Sequence, residues 1–180
     1  VSEADFNVAL DLMQAKFQPI YAAKGQALKI NRLWLDQTIN SDAHWEGRTC
    51  IINAYGGLAR APGMTRNAYL LVNGHENGHC SGQPPLYPGS NMSDEGQADT
   101  FSVDAAKLVG FTDPQIQLAS KELTGVLASL NGEQPIAWPG KVLPIVTVTY
   151  HSHSAAPCRH DTMMFRDLGA ARPNCWFAGG

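Results

Sequence analysis

The pentapeptide His75-Glu76-Asn77-Gly78-His79 is the stretch whose residue types and spacing most directly specify chemistry. On an α-helix, residues four apart lie one turn apart on one face, so both imidazoles can reach a single ion. Zinc suits such a pair, because it accepts nitrogen ligands in a tetrahedron and leaves a position for water. Glu76, beside the first histidine, is not needed as a ligand and is placed to take a proton from that water. The alternative is an amphipathic helix with two surface histidines. Against it stand Gly74 and Gly78, each of which costs roughly 1 kcal/mol in a helix interior. A solvated helix gains nothing from that cost, whereas a helix that lets another helix or a metal come close does.

A catalytic zinc site needs a third protein ligand. Glu95-Gly96-Gln97-Ala98-Asp99 begins 16 residues after His79, and Glu95, early in the next helix, can supply it. Asp99, one turn further on, can accept a hydrogen bond from the far ring nitrogen of a zinc-bound histidine and so fix its tautomer. Taken singly, each carboxylate is also explained as an acidic first turn complementing the helix dipole. Spacing alone allows Asp99 to replace Glu95 as the ligand. HExxH combined with ExxxD is much harder to obtain by chance, and points to one catalytic Zn2+ ion.

The elements that must carry these residues follow from caps and periodicity. Thr65 and the Gly82, Pro84-Pro85 stop predict a helix over 66–81, and Ser93 predicts the cap of one over 94–109. Ser2 and Asp5 start an N-terminal helix bounded by Pro19 and Gly25, and Asp113-Pro114 starts another that ends at Gly132. Its stripe Leu118, Leu123, Val126, Leu127 and Leu130 reads as core. Strand-like segments fall at 28–39 and 48–55, separated by a polar turn at 40–47, with a short β-branched run at 145–149. A last helix over 157–168 precedes a Cys175-Trp176-Phe177 tail expected to pack down. The pattern is α+β, mainly helical, and reads as one domain over 1–180.

At these residues the chain resembles the gluzincin metallopeptidases, of which thermolysin is the familiar member. The resemblance implies His75, His79 and Glu95 as zinc ligands, Glu76 as general base and Asp99 as the partner of the first histidine. It also implies a single compact zincin-like domain. In it a small antiparallel or mixed sheet, with an edge strand for substrate, packs on the active-site helix and the glutamate-bearing helix. The stretch Cys50-Ile51-Ile52-Asn53-Ala54-Tyr55 resembles that edge strand, with Asn53, Ala54 and Tyr55 against the substrate. Ser152-His153 with Arg159 beyond it resembles the Ser-His-Pro…Arg element of the CAAX-prenyl endopeptidases and their small soluble relatives, the minigluzincins; here Ser154 stands in the proline's place. There the histidine stabilises the oxyanion, a role for His153 that His151 or Tyr150 could share.

The implied reaction is hydrolysis of peptide bonds in a peptide or protein substrate by a metal-activated water. Two rivals keep the zinc: an inactive pseudo-peptidase serving as a binding module, and a hydrolase of cell-wall peptide amides. Tyr87 is a candidate rim contact or an ordinary packing residue, and His44 and His160 read as surface or structural histidines. Asp94 reads as a first-turn charge, and Met163 and Met164 as core.

Composition sets the boundaries. Of 180 residues, 44% are hydrophobic, which suffices for a core, and only 16% are charged, with a formal net charge of −3. That balance argues against nucleic acid as a partner. No run approaches the roughly 20 apolar residues of a membrane-spanning helix. The 4 cysteines include no CxxC pair and fit two disulfides. Of the three connectivities, Cys158 with Cys175 is favoured as the local pair, which leaves Cys50 with Cys80; the alternative is four buried thiols in a cytosolic protein. Paired cysteines, with Val1 rather than Met at the start, lead us to expect a monomeric secreted or periplasmic protein whose signal peptide has been removed.

Overall fold

The computed structural model describes residues 1–133 and 153–167. These residues form a small α+β domain of six helices and a three-stranded mixed sheet, with α1 and α3 packed on the sheet. Helix α1 (Glu3–Ala23) is capped by Ser2, whose hydroxyl accepts from the Asp5 amide. It runs through Pro19 rather than stopping there, because Phe17 and Tyr21 on either side are buried and hold the last turn against the core. The chain then turns at Gly25, with φ +65°, into β1 (Ala27–Leu33).

The segment expected as a polar turn is a strand, β2 (Ser41–Glu46). Asp42, His44 and Glu46 alternate with Ala43 and Trp45, and the latter two pack on the core. This is a half-buried strand whose polar face hides its period of two. A two-residue turn, with Gly47 at φ +58°, leads into β3 (Thr49–Tyr55). β3 pairs parallel with β1 and antiparallel with β2, so the order is β1-β3-β2.

This order overturns one expectation. The strand carrying Asn53, Ala54 and Tyr55 is the central strand, and its backbone has no free edge for a substrate. Asn53 bridges its neighbours, with Asn31 and Asp42 each 2.8 Å away; Tyr55 donates to Asp42 at 3.0 Å; Ala54 is fully buried. Among the described residues β2 is an edge strand, and its start at Ser41, Asp42 and Ala43 lines a cleft.

After the short helix α2 (Gly56–Ala59) comes α3 (Arg66–Ser81), in the predicted place with the predicted Thr65 cap. It packs against α4 (Glu95–Leu108), which is capped by Asp94 rather than Ser93. The two helices touch at backbone level. A Cβ on Gly78 would stand 2.7 Å from Ala98 Cα, and one on Gly74 3.1 Å from Ser102 Cα. Asn77 does not loosen this packing, since its amide donates to the Asn73 carbonyl at 2.9 Å. Helix α5 (Asp113–Leu130) opens with a capping box between Thr112 and Gln115. It buries Leu123 and Val126 but leaves Leu118 and Leu130 exposed, so only part of the expected stripe is core. Helix α6 (Ala156–Asp167) packs on α4 and α5 and buries His160, Met163 and Met164.

A disulfide joins Cys50 at the start of β3 to Cys80 at the end of α3. The expected partner of Cys158, Cys175, lies outside the described residues, as do Tyr150, His151, the 145–149 run and the Cys175-Trp176-Phe177 tail. No helix among the described residues is long and apolar enough to cross a membrane.

Candidate metal centre

Helix α3 is buried from Ala68 to Cys80. Such a helix should be apolar, so His75, Glu76 and His79, each no more than 6% exposed, demand partners. His75 donates through Nδ1 to Asp99 Oδ1 at 2.8 Å. His79 donates through Nδ1 to the Ser93 carbonyl, also at 2.8 Å. Both bonds fix the same tautomer and leave the lone pair on Nε2.

Those lone pairs converge. The two Nε2 atoms are 3.0 Å apart, and Glu95 Oε2 lies 3.1 Å from His75 Nε2 and 3.5 Å from His79 Nε2. Lone-pair atoms face one another this closely only with a proton or a metal cation between them. A tetrahedral ion with ligands at 2.0–2.1 Å separates its ligand atoms by about 3.3 Å. Glu95 Oε2 is buried and makes no hydrogen bond of normal geometry. That suits an oxygen aimed at a common centre rather than at either ring. His75, His79 and Glu95 therefore lie close enough to hold a metal ion, and their donor set fits one. Between the two carboxylates that spacing left open, Glu95 joins the cluster and Asp99 does not.

Asp99 sits behind His75 and is gripped by Arg159, whose Nε reaches Oδ2 at 2.8 Å and whose Nη2 reaches Oδ1 at 2.6 Å. Burial would raise its carboxyl, but the Arg159 charge and the His75 bond outweigh burial and hold it at about 2. Without a metal, burial would likewise depress His75, yet its hydrogen bond to Asp99 and the nearby Glu95 carboxylate push it up to about 10. Burial alone would raise Glu95 too, but His153, His75 and His79 together hold it far below the usual carboxylate range. Glu76 goes the other way, because burial lifts its carboxyl and the charges of His75 and His79 only oppose that.

Two adjoining clefts meet at these residues. One, of about 580 Å³, has Leu58, Val72, Leu123, Leu127 and Leu130 on its apolar side. The other, of about 240 Å³, runs between the start of β2, at Ser41, Asp42 and Ala43, and the loop residues Tyr87 and Met92. His75, Glu76 and His153 line both. His153, at the mouth, has Nε2 2.9 Å from Glu95 Oε2.

Sequence reasoning passed over two contacts. Tyr87, weighed only as a rim or packing residue, donates its hydroxyl to Glu95 Oε1 and stacks on His79, with ring centroids 5.7 Å apart. Ser93, expected as a helix cap, instead holds His79 through its carbonyl. A tyrosine in a Pro- and Gly-containing loop carries no spacing signal, and a carbonyl contact carries none at all.

Compared with protein-family models, with curated proteins and with solved structures, the chain matches none. The geometry of the centre therefore carries the functional reading.

Proposed function

We propose that this protein is a zinc-dependent endopeptidase of the gluzincin type, with His75, His79 and Glu95 holding the ion. The observation that carries the reading is the buried Glu76 carboxyl next to a convergent His–His–Glu donor set that faces a cleft. A purely structural metal site has no use for a base there. When bound, the ion supplies Lewis-acid polarisation and makes a water acidic enough to lose a proton near neutrality. Glu76, its proton affinity raised by burial, accepts that proton on its carboxylate and returns it to the leaving amine. His153, at the mouth of both clefts, donates a hydrogen bond to the carbonyl oxygen as charge develops on it. Asp99 and Arg159 keep His75 in its ligand tautomer. The edge of β2 that is unpaired among the described residues pairs with the substrate backbone, replacing the strand that the sequence suggested. Two adjoining clefts that meet at the centre suit an extended chain laid across it, hence an endopeptidase.

The Cys50–Cys80 disulfide supports an oxidising compartment, so we place the enzyme outside the cytosol, secreted or periplasmic. Metal analysis should find about one zinc per chain. Glu76→Gln should keep that zinc and lose cleavage of casein or a peptide library, and full activity in the variant would refute the mechanism. A wild type that binds zinc yet cleaves nothing would favour the binding-module reading.

A further inference from the structure

The structure assigns Tyr87 as the positioning residue that keeps Glu95 a one-oxygen ligand. This inference rests on the metal reading of the centre and not on the peptidase reading.

A carboxylate approaching a metal can give one oxygen or both, and binding through both would occupy the position that a substrate or water needs. Here the two oxygens of Glu95 are in different surroundings. Oε2 faces His75 and His79. Oε1 accepts the Tyr87 hydroxyl. The phenol takes up one of the two lone pairs on Oε1 and holds the carboxylate with Oε2 towards the histidines, which favours Oε2 as the single ligand atom. Tyr87 is held for this task at both ends. Its amide donates to the Met92 carbonyl at 3.0 Å, closing the loop that leads into α4. Its ring lies nearly parallel to that of His79, with 24° between the planes.

The same loop also restrains the other ligand helix. The Ser93 amide donates to the His79 carbonyl at 2.9 Å while the Ser93 carbonyl receives His79 Nδ1. The loop between α3 and α4 thus acts as a clamp on a ligand from each helix. Tyr87 is the side chain in it that decides how many oxygens Glu95 presents.

The test uses the full chain loaded with cobalt(II), which reports coordination number through its visible bands independently of any activity. Tyr87→Phe keeps the ring on His79 and removes only the hydroxyl. We expect weaker, shifted cobalt bands, as for a five-coordinate ion, and about a 10–100-fold loss of metal affinity in chelator competition. Tyr87→Leu, which also removes the stacking ring, should lose at least as much. A Tyr87→Phe protein with wild-type bands and affinity would overturn the assignment. X-ray absorption of the zinc-loaded wild type supplies a measurement that needs no variant. One carboxylate oxygen on the ion supports the role of Tyr87, and two would sink it. If the wild type gives the expected cobalt spectrum but cleaves no peptide, the peptidase reading fails and the role of Tyr87 stands.

Discussion

Glu76 and Asp99 are both buried carboxylates beside His75, yet their surroundings push them in opposite directions. Asp99 lies between α3, α4 and α6, where Arg159 grips both its oxygens and His75 donates to it. It stays ionised down to about pH 2. Glu76 lines the cleft beside the same histidine, and burial raises its carboxyl above its ordinary value. One carboxylate is thus held as a fixed charge against His75, and burial biases the other towards its protonated form. The residue type is nearly the same, and the neighbours set the role.

Amide substitutions are the sharpest way to break this comparison, because the two should fail differently. Glu76→Gln should cut peptide cleavage by about 10²–10⁴-fold, with metal content and stability close to wild type. Asp99→Asn should instead act on stability and on the metal. It leaves the Arg159 charge buried without its partner, which costs about 3–5 kcal/mol in chemical denaturation. It should also weaken metal binding about 10–100-fold. Equal metal loss in the two variants would show that the proposed division of labour is wrong.

Arg159→Met tests the cause of the difference by making the surroundings of Asp99 resemble those of Glu76. In the metal-free wild type the Asp99 carboxyl lies at about 2, below its ordinary 3.8. A depressed carboxyl contributes stability that is present above the ordinary value and is lost as pH falls from about 4 to about 2. Without Arg159 the folded-state value should rise, and acid unfolding of the metal-free protein should begin at higher pH than in the wild type. An unchanged acid limb would mean that His75 alone keeps Asp99 ionised.

Gly78→Ala should have the smallest effect. Its Cβ would meet Ala98 Cα at 2.7 Å, so α4 must shift, at a cost of about 1–3 kcal/mol. Because α4 carries both Glu95 and Asp99, this variant should weaken metal binding without changing the pH profile of what activity remains. A thermal melt and a metal titration of the variant would check both halves.

Much of the centre was legible because its signals are local. Thr65, His75, His79 and Gly82 lie on one stretch, and cap, helical period and the left-handed stop at Gly82 agree. Glu95 and Asp99 are four apart on the next helix, so one spacing argument reached both. The sheet was less legible. β2 keeps polar residues on one face and only Ala43 and Trp45 on the other, so composition spoke for a turn. That β3 is central depends on β1 returning to pair parallel with it, a long-range fact that no local pattern carries. Asn53, Ala54 and Tyr55 were assigned to substrate from the family resemblance, and with 40–47 read as a turn nothing in the sequence showed that β2 covers that edge. Leu118 and Leu130 misled in the opposite way, since α5 is covered on part of its apolar stripe only.

The grip of Arg159 on Asp99 spans 60 residues of sequence. During synthesis, His75, His79 and Glu95 leave the ribosome long before Arg159 does. The nascent chain therefore carries His75, His79 and Glu95 first and the counter-charge for Asp99 later. Until α6 arrives, Asp99 has no guanidinium to balance its burial, so α3 and α4 gain little by closing over it. The centre should acquire its final rigidity, and its full hold on a metal, only once the chain is made through α6.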